Sequence, residues 1–202
     1  MKPTEELSQE HRVIEKVIGA LEGMAGKAEM DGKLVRADAE AAIDFIRIFA
    51  DKCHHGKEEE RLFPAMEANG FPAVGGPTAM MRQEHEIGRS HVRAMAGAVK
   101  GASLGTIKDL KLFVQAALGY GALLRGHIQK EDNILFPMAE QALSSAEMKR
   151  LEAEFEAVEE AMGHEVHEKY HELAHKLAEK YGVKKRSYAL HNEGCAVCGE
   201  GG

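Results

Sequence analysis

The sequence is poor in aromatic residues and cysteine, and several protein classes are excluded on that ground. Its 202 residues include no Trp, seven Phe, four Tyr and three Cys, too few cysteines for a disulfide framework. No apolar run approaches the roughly 18 residues that a membrane-spanning helix needs. The first residues lack the apolar stretch of a secretory signal, which predicts a cytoplasmic protein.

Basic residues are outnumbered by acidic ones. The chain has 26 Lys and Arg against 33 Asp and Glu, a net charge of −7, and no local basic patch offsets the excess. We therefore expect neither a nucleic-acid nor a membrane partner. The hydrophobic fraction of 44% and the charged fraction of 29% are typical of a folded globular chain. Histidine is abundant instead, with eleven residues.

Helical periodicity is present along the chain, whereas alternating β-branched runs bounded by turn residues do not occur. The spacing predicts an all-α fold with helices over about residues 4–28, 35–69, 78–100, 106–142 and 144–181. Gly163 is expected to interrupt the last helix. The predicted organisation is a four-helix bundle over residues 1–142, an additional C-terminal helix over residues 143–182 and a flexible tail with His and Cys over residues 183–202.

One sequence pattern occurs twice. Residues 54–64 and 127–137 both read H-x-x-K-E-[ED]-x-x-L-F-P, at a constant offset of 73. Upstream, Gln-Glu-His occurs at residues 9–11 and again at residues 83–85, at an offset of 74. The chain is therefore expected to contain two copies of one helical hairpin, each with a single His on its first helix and a His-x-x-x-Glu pair on its second.

Helix geometry predicts that these His and Glu side chains meet inside the bundle. Residues four apart share a helix face, and residue counts place the His of both helices of each hairpin at nearly the same height. Two hairpins related by a pseudo-twofold axis would bring together four imidazoles and two carboxylates, where bundles build dinuclear carboxylate sites. The predicted metal ligands are His11, His54, Glu58, His85, His127 and Glu131.

The predicted burial of two carboxylates favours bound metal, because carboxylates in an apolar core are costly unless they are paired or coordinated. Imidazole and carboxylate donors suit iron, with manganese and zinc as alternatives. The competing interpretation is that each His is a satisfied core residue and each His-x-x-x-Glu pair is solvated. The repetition of the whole pattern favours the metal site.

The arrangement resembles the hemerythrin-like, or HHE cation-binding, family over about residues 8–140. This resemblance implies an up-down-up-down bundle that holds two iron ions (Fe2+/Fe3+) with an oxo or hydroxo bridge. It also implies that Glu58 and Glu131 bridge the irons and that the site interacts with O2, NO or peroxide.

One departure from the family concerns the third helix, where oxygen carriers have a second His four residues after the first. This sequence has Arg89 there, and the symmetry mate of Arg89 is Glu15, which predicts an Arg89–Glu15 contact near the pocket. In the fourth helix the Asp of the carriers corresponds in spacing to Asp132, but the internal repeat favours Glu131 as the ligand.

Other residues near the motif have two interpretations each. Tyr120, two helical turns before His127, either serves the metal pocket as a hydrogen-bond donor or ligand, or is a core tyrosine. His55 and Glu59 repeat the His-x-x-x-Glu spacing about 100° away on an α-helix, which predicts that they face outward. Cys53 is expected to be a buried small side chain rather than a reactive thiol.

The C-terminal part contains two further clusters. Four His between residues 164 and 175 lie on one arc of a helix and are predicted to form a solvated face with neighbouring Glu, with a second metal site as the alternative. His191, Cys195 and Cys198 offer ligands for zinc or iron; a redox dithiol and incidental cysteines are the alternatives.

The leading functional hypothesis is a non-heme di-iron protein that binds or senses O2 or NO at a carboxylate-bridged site. The alternative is a redox enzyme or iron-centre repair protein that reduces NO, removes peroxide or donates iron, an interpretation that the Cys195/Cys198 pair favours. A third hypothesis is a storage or interaction module that binds a protein partner through the C-terminal helix and tail.

Overall fold

The structure, a computed structural model, describes residues 1–183, and nearly all of them are helical. No strand occurs within this range, which confirms the all-α class. The elements in chain order are α1 (Pro3–Asp31), α2 (Arg36–Phe45), π1 (Ile46–His55), π2 (Glu58–Leu62), α3 (Phe63–Ala68), α4 (Pro77–Ser103), α5 (Ile107–Lys130), π3 (Glu131–Leu135), α6 (Phe136–Ala142), α7 (Ser145–Met162) and α8 (His164–Lys180).

Four long helical segments, here called rods, form the predicted up-down-up-down bundle. The first rod is α1; the second runs through α2, π1, π2 and α3; the third is α4; the fourth runs through α5, π3 and α6. α4 packs against α2 and α5, and α1 packs against α5, α2 and π1. Each rod therefore contacts its two neighbours and encloses one interior.

Glycines with positive φ mark the helix ends. Gly32 (φ 69°) ends α1, and Gly163 (φ 88°) separates α7 from α8, as expected. These left-handed conformations cost glycine little because it has no Cβ. α7 begins with a capping box in which Ser144 and Glu147 satisfy each other's backbone amides.

Two apolar clusters fill the interior. The larger one takes residues from all four rods and from α8. The smaller one contains the Leu and Phe of both L-F-P sequences, together with Leu7 and Phe155. The ring of Phe63 lies 6.1 Å from that of His85, and the ring of Phe136 lies 5.5 Å from that of His11. The two L-F-P copies therefore pack directly under predicted metal ligands.

The C-terminal helix is part of the core. α8 packs against α1 and α2, and Tyr170, Ala174 and Leu177 are buried in the larger cluster. The Tyr170 hydroxyl donates to the carboxylate of Asp44 at 2.8 Å. Within residues 1–183, none of the helices has the length and apolarity needed to cross a bilayer. His191, Cys195 and Cys198 lie outside the described residues, so a metal site there stays a prediction.

Candidate metal centre

The structure brings all six predicted ligands together in the bundle interior. Each of them is at most 1% exposed. His11 lies on α1, His54 on π1, His85 on α4 and His127 on α5, while Glu58 and Glu131 are the first residues of π2 and π3. Every rod of the bundle therefore contributes to the site.

The potential ligand atoms form two groups, and within each group these atoms lie within 4.8 Å of one another. Both groups are completely buried. The first contains His11, His54, Glu58 and Glu131, and the second contains His55, Glu58, His85 and His127.

The two glutamates span both groups. One carboxylate oxygen of Glu58 is 3.5 Å from Nε2 of His54, and the other is 3.5 Å from Nε2 of His85. Oε2 of Glu131 is 3.2 Å from Nε2 of His11 and 3.1 Å from Nε2 of His127. The site is therefore arranged for two ions, with each carboxylate within reach of both.

The prediction that His55 faces outward is wrong. The residue is 4% exposed, and its ring stacks on that of His85 with centroids 3.7 Å apart. The prediction assumed α-helical geometry, with 3.6 residues per turn. Residues 46–55 are instead π-helical, and the wider π turn rotates by less per residue, so both His54 and His55 face the interior. Glu59, half-buried, accepts a hydrogen bond from Nδ1 of His85 rather than facing solvent alone.

In each of the five interior imidazoles, Nδ1 lies within hydrogen-bond distance of a carboxylate, and each imidazole has a different carboxylate. These contacts orient the rings and leave every Nε2 as the atom that faces the site. The pairs are His11 with Asp132 (2.8 Å), His54 with Glu10 (2.8 Å), His55 with Asp51 (3.2 Å), His85 with Glu59 (2.5 Å) and His127 with Glu84 (3.0 Å).

Several polar atoms at the centre lack hydrogen-bond partners. Both oxygens of Glu58 and Glu131, and Nε2 of His11, are buried without one within the described part of the chain. A neutral imidazole that donates from Nδ1 presents a lone pair at Nε2. Nε2 of His85 and of His127 are only 3.0 Å apart, so a proton or a cation has to lie between them. Converging lone pairs and buried carboxylates are stable together when cations lie between them.

The pKa shifts also indicate that the buried carboxylates and imidazoles are unfavourable next to one another without a cation. Burial raises the pKa of Glu58 well above its usual range, and the neighbouring charge of Glu131 raises it further. Burial lowers the pKa of His54 to about 4, so this ring is neutral at pH 7 and available as a ligand. Burial also lowers the pKa of His127, but Glu131 and Glu84 more than offset it and raise the pKa to about 9. In the protein alone, a proton on His127 takes the place that a cation would fill.

The observed spacings fit metal coordination. Two atoms bound to one ion at about 2.1 Å and at right angles lie about 3 Å apart. The nitrogen–nitrogen contact of 3.0 Å and the nitrogen–oxygen contacts of 3.1 to 3.5 Å are close to this value. The residues present therefore suit two ions with imidazole and carboxylate ligands, a donor set typical of iron, manganese or zinc.

Sequence reasoning missed the carboxylates behind the imidazoles, although the repeat contains the signal. Glu10 and Glu84 immediately precede the upstream His in the two halves, and each holds the downstream His of its own half. Asp132 follows Glu131 and holds His11 from behind. The repeat therefore places Asp132 in the supporting layer, while Glu131 faces the centre.

Lys57 is a second residue that sequence reasoning missed. Its side chain is 0% exposed, and its ammonium donates to Glu6 at 2.5 Å, Glu10 at 2.9 Å and Glu159 at 2.7 Å. Burial lowers its pKa, but Glu10 and its other neighbours outweigh that effect and raise the pKa above the ordinary value. Lys57 thereby links α7 to the carboxylate that orients His54.

The predicted solvated His face of α8 is wrong in part. His167 and His171 are half-buried and lie against Phe49, with ring centroids 5.1 and 5.6 Å away. Nε2 of His167 is 3.5 Å from Oε1 of Glu10. Glu10, Glu159 and His167 could hold an ion, but the ammonium of Lys57 already contacts both of these carboxylates.

The predicted Arg89–Glu15 contact is wrong. Arg89 donates to Asp51 at 2.8 Å and to Glu59 at 2.9 Å, whereas Glu15 pairs with Arg12 at 3.0 Å. Arg89 thus hydrogen-bonds to the carboxylates of Asp51 and Glu59, which orient His55 and His85.

Tyr120 lines a cavity beside the centre. The cavity has a volume of about 210 Å³, and His55, Gly88 and Arg89 also line it. The Tyr120 hydroxyl is buried without a hydrogen-bond partner in the described residues. Cys53, next to His54, is buried, and burial raises the pKa of its thiol to about 12, which agrees with the expected unreactive side chain.

Comparison with known proteins gives the family. The profile of the hemerythrin HHE cation binding domain matches residues 2–139. The chain belongs to this family. Hemerythrin HHE domains bind cations. In this chain the buried His and Glu groups are the residues that could bind them.

Three curated relatives match as well. An uncharacterised protein of Mycobacterium bovis and two of Mycobacterium tuberculosis are each 23% identical to the chain over 152 residues, covering 75% of it. The matched part is 59% of each relative, so the chain spans about three fifths of the length of these proteins. No solved structure gives a significant match.

Proposed function

We propose that this hemerythrin HHE protein binds two iron ions and uses them to bind a small oxidant, O2 or NO, reversibly. The observation that carries the proposal is the pair of buried carboxylates without hydrogen-bond partners, Glu58 and Glu131, among imidazoles whose outer nitrogens are all occupied. The proposed ligands are His11, His54, Glu58, His85, His127 and Glu131.

The protein's contribution is to hold these donors in place before the metal arrives. The Nδ1–carboxylate contacts fix each ring and raise its basicity, and the apolar clusters on both sides exclude water. A bound pair of irons supplies one-electron redox chemistry and coordination positions that the protein does not fill. Six protein residues shared by two ions leave such positions free.

The cavity beside Tyr120 is the proposed access route for the ligand. Its volume of about 210 Å³ suits a diatomic molecule with accompanying water. The unpartnered Tyr120 hydroxyl is a hydrogen-bond donor in its wall, and Arg89 is held there by Asp51 and Glu59.

Metal analysis and spectroscopy on the purified protein test this function. After anaerobic loading with Fe2+, we expect about two irons per chain and a visible spectrum that changes on exposure to O2 or NO and recovers when the gas is removed. Manganese, offered in competition, is expected to be retained less, because Mn2+ binds a given site more weakly than Fe2+. The double variant Glu58→Gln/Glu131→Gln should keep its helix content and lose the iron. A wild-type protein that retains no iron would contradict the proposal.

Binding and turnover are separable in the same preparation. Reversible binding predicts that the protein, given an electron donor, consumes no more than a stoichiometric amount of NO or peroxide. Sustained consumption would identify a redox enzyme instead, the alternative that the sequence analysis raised. A cytoplasmic location and a protein partner at the C-terminal region stay predictions.

A further inference from the structure

The two halves of the centre differ at residue 55, where His55 faces the site. The repeat offset pairs His55 with Ile128, which is 2% exposed, and pairs Asp51 with Leu124, which is 3% exposed. The first half therefore buries a hydrogen-bonded imidazole and carboxylate where the second half buries two aliphatic side chains. An imidazole in place of a packed Ile costs stability unless it interacts with something.

The backbone differs at the same place. Residues 46–55 form π1, whereas the equivalent stretch of the second half lies within α5, which is α-helical throughout Ile107–Lys130. The later π segments, π2 and π3, are equivalent in the two halves. π-helical segments are rare and concentrate at functional sites. The extra segment in the first half turns the His55 side chain inward, which points to a functional role for this residue.

The contacts of His55 match those of the other four imidazoles. Its Nδ1 is 3.2 Å from a carboxylate oxygen of Asp51, and a ligand atom of His55 lies within 4.8 Å of ligand atoms of Glu58, His85 and His127. Arg89 holds Asp51 from behind at 2.8 Å. A carboxylate behind Nδ1 with Nε2 free is the arrangement of metal-binding His in proteins.

We propose that His55 is a fifth imidazole ligand, bound through Nε2 to the ion that His85 and His127 hold, and that Asp51 positions it. One ion then has three imidazoles and the other, held by His11 and His54, has two. The two metals are chemically different, and the ion with fewer protein ligands has more positions for an exogenous ligand. This inference rests on the proposed function, because it requires bound metal.

Mössbauer spectroscopy of 57Fe-loaded protein tests the assignment. Wild-type protein is expected to give two quadrupole doublets of equal area. His55→Ile, which copies the residue of the second half, and His55→Gln, which keeps a polar side chain, should both shift one doublet or lower its area. The affinity of one iron should fall by more than 10-fold while the other is retained. His91→Gln, on the adjacent α4, is the control and should leave both doublets unchanged.

Substitutions at Asp51 separate positioning from ligation. Asp51→Leu copies the second half and removes the acceptor for Nδ1, so it should weaken the same iron by about 10–100-fold. Asp51→Asn keeps a carbonyl oxygen and should recover most of that loss. In His55→Ala, added imidazole should restore the wild-type doublet.

The outcomes that overturn the two proposals differ. Two irons with spectra that are identical in wild type, His55→Gln and His55→Ile would overturn the fifth ligand and leave the proposed function standing. A wild-type protein that binds no iron would overturn both. Circular dichroism of each variant identifies misfolding, and in that case the imidazole titration of His55→Ala decides the assignment.

Discussion

Lys57 and Lys130 occupy equivalent positions of the repeat but very different environments. Both donate to the Glu that orients a downstream His: Lys57 to Glu10 and Lys130 to Glu84. Lys57 is 0% exposed because α7 covers it, whereas Lys130 is 37% exposed. The same residue type in the same motif is therefore a buried ion pair in one half and a surface pair in the other.

Replacement of each Lys by Met is a matched test of this difference. Lys57→Met leaves three carboxylates near one another without their cation, and we expect the free energy of unfolding to fall by about 3–5 kcal/mol. Lys130→Met should cost at most about 1 kcal/mol, because exposed pairs are screened by water. Urea unfolding of the metal-free proteins measures both values. Equal losses in the two variants would show that burial by α7 does not matter.

The single residues of the centre were predictable to different degrees. The grouping of His11, His54 and Glu58 could be predicted because the His-x-x-x-Glu spacing places side chains on one face in either an α-helix or a slightly wider turn. The direction of His55 could not, because the smaller rotation per residue in the π-helical stretch 46–55 moves its side chain from the outside to the inside. The supporting carboxylates lie inside the repeat, but a repeat alone does not say which of two adjacent acids faces the metal.

At the scale of elements, α7 is attached to the bundle by polar contacts at its N-terminus. Its capping residue Glu147 accepts from the backbone amide of Ser144 at 2.8 Å and from the side chain of Asn69 at 2.7 Å. The hydrogen bond from Ser144 is the main cause that lowers the pKa of Glu147, to about 2. Because the folded-state pKa is depressed, this carboxylate stabilises the fold above its ordinary pKa of 4.5, and the effect is lost as the pH falls toward 2.

Glu147→Gln should therefore lower stability in a pH-dependent way. We expect the variant to be less stable than wild type at pH 7 and the difference to shrink steadily between about pH 4.5 and pH 2. Thermal melts of both proteins across this range provide the measurement. Glu156→Gln, at an exposed position of the same helix, serves as the control. A stability difference that does not change with pH would mean that the charge of Glu147 contributes nothing.

The C-terminal helix α8 is an integral part of the bundle, which the sequence pattern did not predict. The His arc is the most conspicuous pattern in the sequence of this helix, but the residues that bury it against the bundle are Tyr170, Ala174 and Leu177. These residues follow the same 3–4 spacing as the His and are offset from them by about one position. Two interleaved arcs of this kind leave the inward face undetermined until the partner helices are known.

Leu177→Ala tests how much α8 contributes. Leu177 is 4% exposed in the larger apolar cluster, and truncation of a buried Leu to Ala costs about 2–5 kcal/mol. Leu118→Ala, at a position that is 47% exposed on α5, should change the free energy of unfolding by less than about 0.5 kcal/mol. A loss no larger at Leu177 than at Leu118, measured by urea unfolding, would show that α8 is only peripherally attached.

At the scale of the whole molecule, two duplicated hairpins form one interior with a polar centre. Each half supplies a Glu that reaches the imidazoles of the other half: Glu58 lies 3.5 Å from His85, and Glu131 lies 3.2 Å from His11. The halves are therefore joined through the site as well as through the apolar clusters. Without cations, the same arrangement places two carboxylates and several imidazole lone pairs against one another, which disfavours the closed bundle.

Metal should consequently stabilise the fold strongly. A ligand that binds only the folded state adds about 4.1 kcal/mol at a concentration 1,000-fold above its Kd, and about 1 kcal/mol shifts the melting temperature by about 2–4 °C for a chain of this size. We expect anaerobic Fe2+ to raise the melting temperature of the metal-free protein by about 8 °C or more. Ca2+ and Mg2+ should have little effect, because imidazole-rich sites do not favour them.

Glu58→Gln separates the effect of the metal from damage to the fold. The variant should lose most of the Fe2+-dependent rise, because one shared carboxylate is missing from the centre. Its metal-free form should melt at the same temperature as wild type or higher, because the raised pKa of Glu58 means that its carboxyl has to take up a proton on burial, whereas the amide is neutral throughout. Differential scanning calorimetry of both proteins, with and without Fe2+, measures the four temperatures. A metal-free variant that melts well below the metal-free wild type would show that Glu58 stabilises the bundle by itself, and the electrostatic conflict inferred at the centre would then be wrong.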